Sequence, residues 1–325
     1  MGAAWCAKSP CRVLGCSWPQ YTSLPMSDTT PQERPPSLDP AASQRWTTRM
    51  HASSPWLNEE VAQRMADRLQ WIRLQPKQWV DWAPVSGGLK AHALVQHHYP
   101  KARCQVVEAS LARERLARQA LQSPWWRRWL APKALRVGEA EAGAADMLWA
   151  NMALHTSAEP QALLQNWHQL LAVDGFLMFS CLGPDTLREL ADVYHRMGWP
   201  PACHAYTDMH DWGDMLVQAG FAEPVMDMER LTLTYDSPKR LLTDLRVLGR
   251  NLHRDRFQGL RGKQWLKTLE EALISLAKPA QDGRLALTIE VIYGHALKPL
   301  PKFKMQSESK VSLQDMRTLL GQSPR

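Results

Sequence analysis

Asp81, Gly87, Gly88 and Glu108 are the first residues of this chain whose types and spacing suggest chemistry. They lie in "QWVDWAPVSGGLKAHAL", Gln78 to Leu94, and in the "CQVVEAS" that follows. An apolar strand runs into a glycine pair and then into a helical pattern, the layout of a nucleotide-binding strand-to-helix turn. Asp81 ends the first strand and Glu108 the second. Glu108 follows the glycines by about 20 residues, the spacing at which an acidic side chain accepts hydrogen bonds from ribose hydroxyls. The same pattern also describes a plain turn with a surface glutamate. Three more polar residues flank a buried strand: Glu139 in "VGEAEAG", and Asn151 and His155 in "ANMALH". Ligands of doubly wound sheets sit at the carboxyl ends of the strands, so these are candidates for a ligand crevice. His155 reads equally as a packed loop histidine.

The elements that must position them alternate. "EEVAQRMADRLQWI" places Val61, Met65, Leu69 and Ile72 at helical spacing from Glu59 to Ile72. "QWVDW", "CQVVEAS", "ADMLWANMAL" and "GFLMFSCL" read as strands, with helical patterns between them. This order predicts an α/β fold with a doubly wound, mostly parallel sheet. After "WGDMLVQAG", a helix stopped at Gly220, the strand "VMDMERLTLTY" alternates like a half-exposed one. A basic helical insertion over 238–279 precedes the closing strand "LALTIEVIYGHAL", and two late strands around an insertion suggest an antiparallel pair added to the parallel sheet.

The bulk numbers bound the class. A chain of 325 residues with 45% hydrophobic content is long enough to bury a proper core. Residues 1–48 are rich in Pro, Ser and Thr and are expected to be a disordered extension, with Met26 a second candidate initiator. Residues 49–298 are expected to form the domain and 299–325 a polar tail. No run of uncharged apolar residues is long enough to span a bilayer. No secretory signal pattern opens the chain, so a cytoplasmic location is expected. Six cysteines match no common zinc spacing and are read as reduced thiols, with no metal expected. The net charge of +7 and pI near 9.2 favour an acidic partner. Nucleic acid is disfavoured, because the basic residues are not interleaved with exposed aromatics as in RNA-binding modules. The tryptophans Trp125, Trp126 and Trp129 of "PWWRRWL" are read as a cap on the sheet.

A family resemblance rests on "ADMLWANMALH", "ALLQNWHQLLAVDGFLMFSCLGPDTLREL", "DMHDWGDMLVQAGFAEPVMDMERLTLTY" and "EVIYGHAL". These resemble the class I S-adenosylmethionine methyltransferases, and more narrowly the malonyl-acyl-carrier-protein O-methyltransferases of biotin synthesis. The resemblance spans roughly residues 45–298. The same motifs also occur in a sister group, the arginine hydroxylase that assists assembly of mitochondrial complex I. The runner-up reading is a non-catalytic binding or assembly module on this scaffold, and the third is a hydroxylase or another methyltransferase.

The resemblance implies a Rossmann-like methyltransferase fold with seven strands, the last of them antiparallel near Leu285 to His295. It implies S-adenosyl-L-methionine as cofactor and a malonyl group on an acidic acyl-carrier protein as substrate. It also implies cofactor-binding roles for Asp81, Gly87, Glu108, Glu139, Asn151 and His155. Family enzymes carry D-x-G-x-G-x-G in the first loop, whereas "DWAPVSGG" has Ala83 and Val85 at the first two glycine places. Alanine costs little there at negative φ, and valine is expected to crowd the cofactor. A malonyl carboxylate is already ionised at neutral pH, so no general base is expected. Arg246 and Arg250, four apart on the insertion, are the expected clamp for that carboxylate, with Tyr293 and His295 as weaker candidates.

Overall fold

The computed structural model describes residues 37–49, 54–121, 135–277 and 282–301, all within the unit Arg34–Arg325. One sheet of seven strands organises it, in the order β3-β2-β1-β4-β5-β7-β6. The strands are β1 (Gln78–Trp82), β2 (Arg103–Val107), β3 (Arg136–Val137), β4 (Ala145–Ala150), β5 (Leu171–Leu182), β6 (Ala222–Tyr235) and β7 (Leu285–Leu297). Neighbours from β3 to β5 pair in parallel, and β7 runs antiparallel to both β5 and β6. The expected reversal of the last strand is therefore present.

Strand composition follows position in the sheet. β4 and β7, covered on both faces, are buried almost throughout, as near-continuous apolar strands must be. The edge strand β6 alternates between exposed and half-buried residues. On one face pack α2 (Trp56–Asp67) and α4 (Leu89–His98), bringing Val61, Met65 and Val95 onto Trp79, Met147 and Trp149. On the other face, α6 (Pro160–Leu170) and α8 (Met209–Gln218) bring Trp167 and Trp212 onto Val80, Leu148 and Phe179. The helix expected from Glu59 to Ile72 ends earlier, passing into a 3-10 turn at Arg68–Trp71. The insertion carries α9 (Pro238–Leu248) and α10 (Lys263–Leu273), which pack through Leu241, Leu269 and Leu273 against α7 (Arg188–Arg196) and the start of β7.

The expected disorder of residues 1–48 needs correcting for its described part. Pro40–Thr48 forms α1, with Asp39 accepting the Ala41 N–H at 2.9 Å and Pro40 in the first turn. Helix-compatible proline after a capping aspartate explains the start. The Asp39 carboxylate also takes Arg256 Nη1 at 2.7 Å, and Ser43 Oγ donates to the Thr156 carbonyl at 2.5 Å. α1 is thus tied both to the insertion and to the segment after β4. Residues 1–36, the tryptophans at 125, 126 and 129, and residues 302–325 lie outside the described residues.

The loop after β1 folds as a tight turn. Ala83 adopts φ 54° and ψ 49°, and Pro84–Gly87 make the single turn α3 before α4 begins at Leu89. The alanine therefore occupies the left-handed region that glycine fills without strain, contrary to the negative φ that would have excused it. Val85, expected to crowd a cofactor, is fully buried in the core. A Cβ on Gly87 would come within 2.8 Å of the Asn151 carbonyl oxygen. Asn151 is the tie. Its Nδ2 donates to the Asn58 carbonyl at 2.7 Å and to the Gly87 carbonyl, and its Oδ1 accepts from Ser180 Oγ at 2.6 Å. Asn58 Nδ2 in turn donates to the Ser86 carbonyl at 2.8 Å.

Two stability measurements follow from this loop. Asn151→Ala strands three buried polar partners and should cost about 2–4 kcal/mol in chemical denaturation, on the scale of roughly 1–3 kcal/mol per unsatisfied group. A loss below about 1 kcal/mol would mean the tie is dispensable. Ala83→Gly should be neutral or stabilising by about 1 kcal/mol, whereas the same change at a right-handed position costs roughly 0.5–1 kcal/mol. A clear destabilisation would refute the left-handed geometry.

Candidate active site

A cavity of about 680 Å³ opens at the carboxyl ends of β1, β2, β4 and β5. The sheet order switches direction there, between β1 and β4, where ligands of such sheets bind. Trp82, Ala83 and Ser86 line it from the first turn, and Val107, Glu108 and Ala109 from the end of β2. α1 covers one side with Trp46 and Thr47, and the end of α9 reaches the opening with Leu248 and Arg250.

Glu108 is the charged group at the floor of this cavity. Its side chain is fully buried; Oε1 accepts the Val85 N–H at 2.7 Å, and Arg113 Nε stands 3.2 Å from Oε2. Burial pushes the Glu108 carboxyl up to about 7, against the opposing pull of Arg113 and of the Val85 and Ala109 N–H groups. Glu108 Oε2 and Arg113 Nη2 both lack a hydrogen-bond partner among the described residues. Arg113 Nη1 donates to the Thr47 carbonyl of α1. Arg113 lies on α5 (Leu111–Leu121), on the same face as buried Ala117. A charge on that buried helix face, four residues before Ala117, was the signal in the sequence, away from any strand end.

His155 also lines the cavity, with Nδ1 buried and unpartnered. Burial, with His204 beside it, lowers its pKa to about 3, so the ring is neutral at physiological pH. His204 approaches the His155 carbonyl at 3.1 Å, and the Tyr206 ring lies 6.0 Å from the His155 ring. Burial raises both the Tyr206 hydroxyl and the Cys203 thiol, the latter to about 11, so both hold their protons. Tyr206 and Cys203 are lining residues that sequence reasoning missed, because no strand end or motif marks them.

Other expected site residues stand elsewhere. Asp81 shares its strand face with Trp79, two residues earlier, and so points at α4. There it meets His92 Nδ1 at 2.8 Å, and burial raises its pKa while that hydrogen bond lowers it. It does not line the cavity. Gly87 and Asn151 lie beneath the lining, as the tie described above. Glu139 is exposed, and only its backbone carbonyl is engaged, by Gln105 Nε2 at 3.2 Å. Tyr293 lies on the α2 face, with Arg68 stacked 3.7 Å from its ring centre, and His295 packs beside Phe176. Neither reaches the cavity, because β7 turns those side chains to the faces of the sheet. Arg250 lines the opening, and Arg246 stands exposed one turn earlier on α9. The expected pair thus lies at the rim and not in a desolvated clamp.

The site has the size and donor set for a nucleotide-like ligand. Pockets for such ligands run to roughly 300–1,000 Å³, and Glu108 Oε2, with no hydrogen bond among the described residues, can accept one from a hydroxyl. With Val85 turned inward, no branched side chain of the first loop obstructs the cavity.

No family model matches the chain. Among curated proteins, the malonyl-[acyl-carrier protein] O-methyltransferase of Gallionella capsiferriformans (strain ES-2) is 40% identical over 259 residues, covering 77% of this chain and 87% of its own. That of Laribacter hongkongensis (strain HLHK9) is 41% identical over 253 residues, covering 75% and 83%. That of Nitrosospira multiformis is 34% identical over 263 residues, covering 76% and 84%. A solved structure of a putative methyltransferase from Bacillus halodurans is 15% identical with a TM-score of 0.48, covering 73% of this chain and all of that one. At such identity to the sequence relatives, across three quarters of its length, the chain belongs to the malonyl-[acyl-carrier protein] O-methyltransferase family.

Proposed function

We propose that this protein transfers a methyl group from S-adenosyl-L-methionine to the free carboxylate of a malonyl thioester on an acidic acyl-carrier protein, in the cytoplasm and in the service of biotin synthesis. The observation that carries the reading is the buried acid Glu108 at the floor of the cavity, with one oxygen that makes no hydrogen bond among the described residues and faces only the Arg113 guanidinium, in a chain of this family. The cofactor supplies an electrophilic methyl on a sulfonium centre.

Glu108 is the residue for the ribose hydroxyls, which donate to its free oxygen. Arg113 beside it favours the ionised form of Glu108, partly offsetting the burial that raises its pKa. The Val85 N–H fixes the other oxygen and thereby orients the group. His155, neutral and with an unpartnered ring nitrogen, can give or take one hydrogen bond on the side of β4 without adding charge. No side chain is needed as a base, because the malonyl carboxylate is ionised at neutral pH. The protein's contribution is then alignment and exclusion of water, and α1 covers the cavity in the manner that task requires.

The direct assay is transfer of labelled methyl to malonyl-carrier protein. Absence of transfer from purified, folded protein, together with no binding of S-adenosylhomocysteine by calorimetry, would overturn the proposal in favour of a non-catalytic module.

Glu108 gives this reading a pH signature. Its folded value of about 7 lies above the ordinary 4.5. Between those values the folded chain holds a proton that the unfolded chain releases, so its contribution to stability falls as pH rises through that window. Acceptance of ribose hydroxyls requires the ionised form. Affinity for S-adenosylhomocysteine should therefore rise by up to about tenfold from about pH 6 to about pH 8. Glu108→Gln should flatten that dependence and weaken binding by about 1.5–3 kcal/mol. A flat profile in the wild type would remove Glu108 from the cofactor site.

A further inference from the structure

Three arginines meet where the cavity opens. Arg250 lines the mouth at the end of α9, Arg246 stands one turn before it, and Arg49 follows α1, whose Trp46 and Thr47 line the same opening. Arg250 Nη1 is engaged by the helix's own end, donating to the Arg246 carbonyl and to the Gly249 carbonyl at 2.7 Å. Its Nη2 and Nε are left without a hydrogen-bond partner among the described residues. None of the three has a carboxylate partner among the described residues, although eight other arginine and lysine side chains there do. Asp244, the acid nearest in sequence on α9, is already taken by Trp56 Nε1 and the Tyr235 hydroxyl, at 2.9 Å each. The like charges also bear on one another: after burial, Arg49 and then Arg246 lower the pKa of Arg250. Converging, uncompensated cations at the rim of a cavity are a receptor for an anion that stays partly in water.

The malonyl carboxylate is a poor match for that place. It must approach a methyl donor seated against Glu108, whose side chain is fully buried, whereas Arg246 and Arg250 are exposed. The carrier-bound substrate has a second anion. Its thioester hangs from a phosphopantetheine arm whose phosphodiester joins the arm to the carrier and so has to stop outside the cavity. We propose that Arg49, Arg246 and Arg250 bind the phosphate of this arm and set how deeply the malonyl thioester enters. The inference rests on the malonyl-carrier reading. A guanidinium fork suits a phosphate, whose oxygens accept paired N–H donors.

The test separates phosphate from carboxylate and from carrier surface. Wild type, Arg49→Ala and Arg250→Ala are assayed on malonyl-pantetheine, malonyl-4′-phosphopantetheine and malonyl-carrier protein. Binding of unloaded pantetheine and 4′-phosphopantetheine is measured alongside by calorimetry. The expected result is a preference of the wild type for the phosphorylated arm, in both kcat/KM and affinity. Each substitution should reduce that preference about tenfold, the scale of one lost charge-assisted contact. The proposal is overturned if the preference is unchanged in both variants, as a carboxylate clamp would leave it. It is equally overturned if the loss appears only with the intact carrier, which would assign the arginines to the carrier's surface. Should the wild type methylate none of the three yet still prefer the phosphorylated arm through Arg250, the phosphate site stands and the assigned reaction falls.

Discussion

The Asn151 side chain ties the start of α2 and the glycine turn after β1 to the ends of the paired strands β4 and β5. Through one amide it binds the start of α2, the glycine turn after β1 and the Ser180 hydroxyl of β5, and it sits at the end of β4 itself. A side-chain amide in a buried position must satisfy its donors and acceptor, so its rotamer and its three neighbours are decided together. The cavity floor depends on that agreement. With the turn held, Ala83 keeps its left-handed conformation, Val85 is directed into the core, and the Val85 N–H is aimed at Glu108. Strain at one residue is thereby kept at a functional site, supported by hydrogen bonds on either side.

Charge in the cavity is graded by depth. At the floor, Glu108 and Arg113 share a buried pair, and neither is fully saturated with hydrogen bonds. Along the β4 side, His155, Tyr206 and Cys203 are all held neutral by burial. At the mouth, the arginines face water without acidic partners among the described residues. An interior with one compensated charge and a cationic rim suits a substrate that brings its own negative groups. Desolvation within is limited, while attraction acts at the entrance. α1 links the two ends, because Thr47 takes Arg113 and Asp39 takes Arg256 of the insertion.

Much of this was legible in the residue order. The alternation of apolar strands and amphipathic helices implies a parallel sheet, and the late strand pair implies the antiparallel end observed at β7. "DPAASQRW" carried a capping aspartate before a proline, a helix start that composition alone had hidden. Glu108 and His155 follow strands whose ends converge at the switch point, so their presence in the cavity follows from topology.

The sequence by itself determined which segments become strands and helices and which strand ends converge, because those follow from local periodicity and the handedness of connections. Only the tertiary structure decided which polar side chains face the cavity. Asp81 was one residue from doing so, but the two-residue alternation of β1 turned it to α4 and His92. Tyr293 was turned to the α2 face by the same alternation in β7. Val85 lies in the core next to an Ala83 with positive φ, in a turn supported by contacts from β4 and α2 that are distant in sequence. Arg113 became part of the site because α5 lays one face against β2 and α1. Side-chain direction at a strand end is a matter of parity and of a single dihedral, and neither is settled until the neighbours that enforce it have packed.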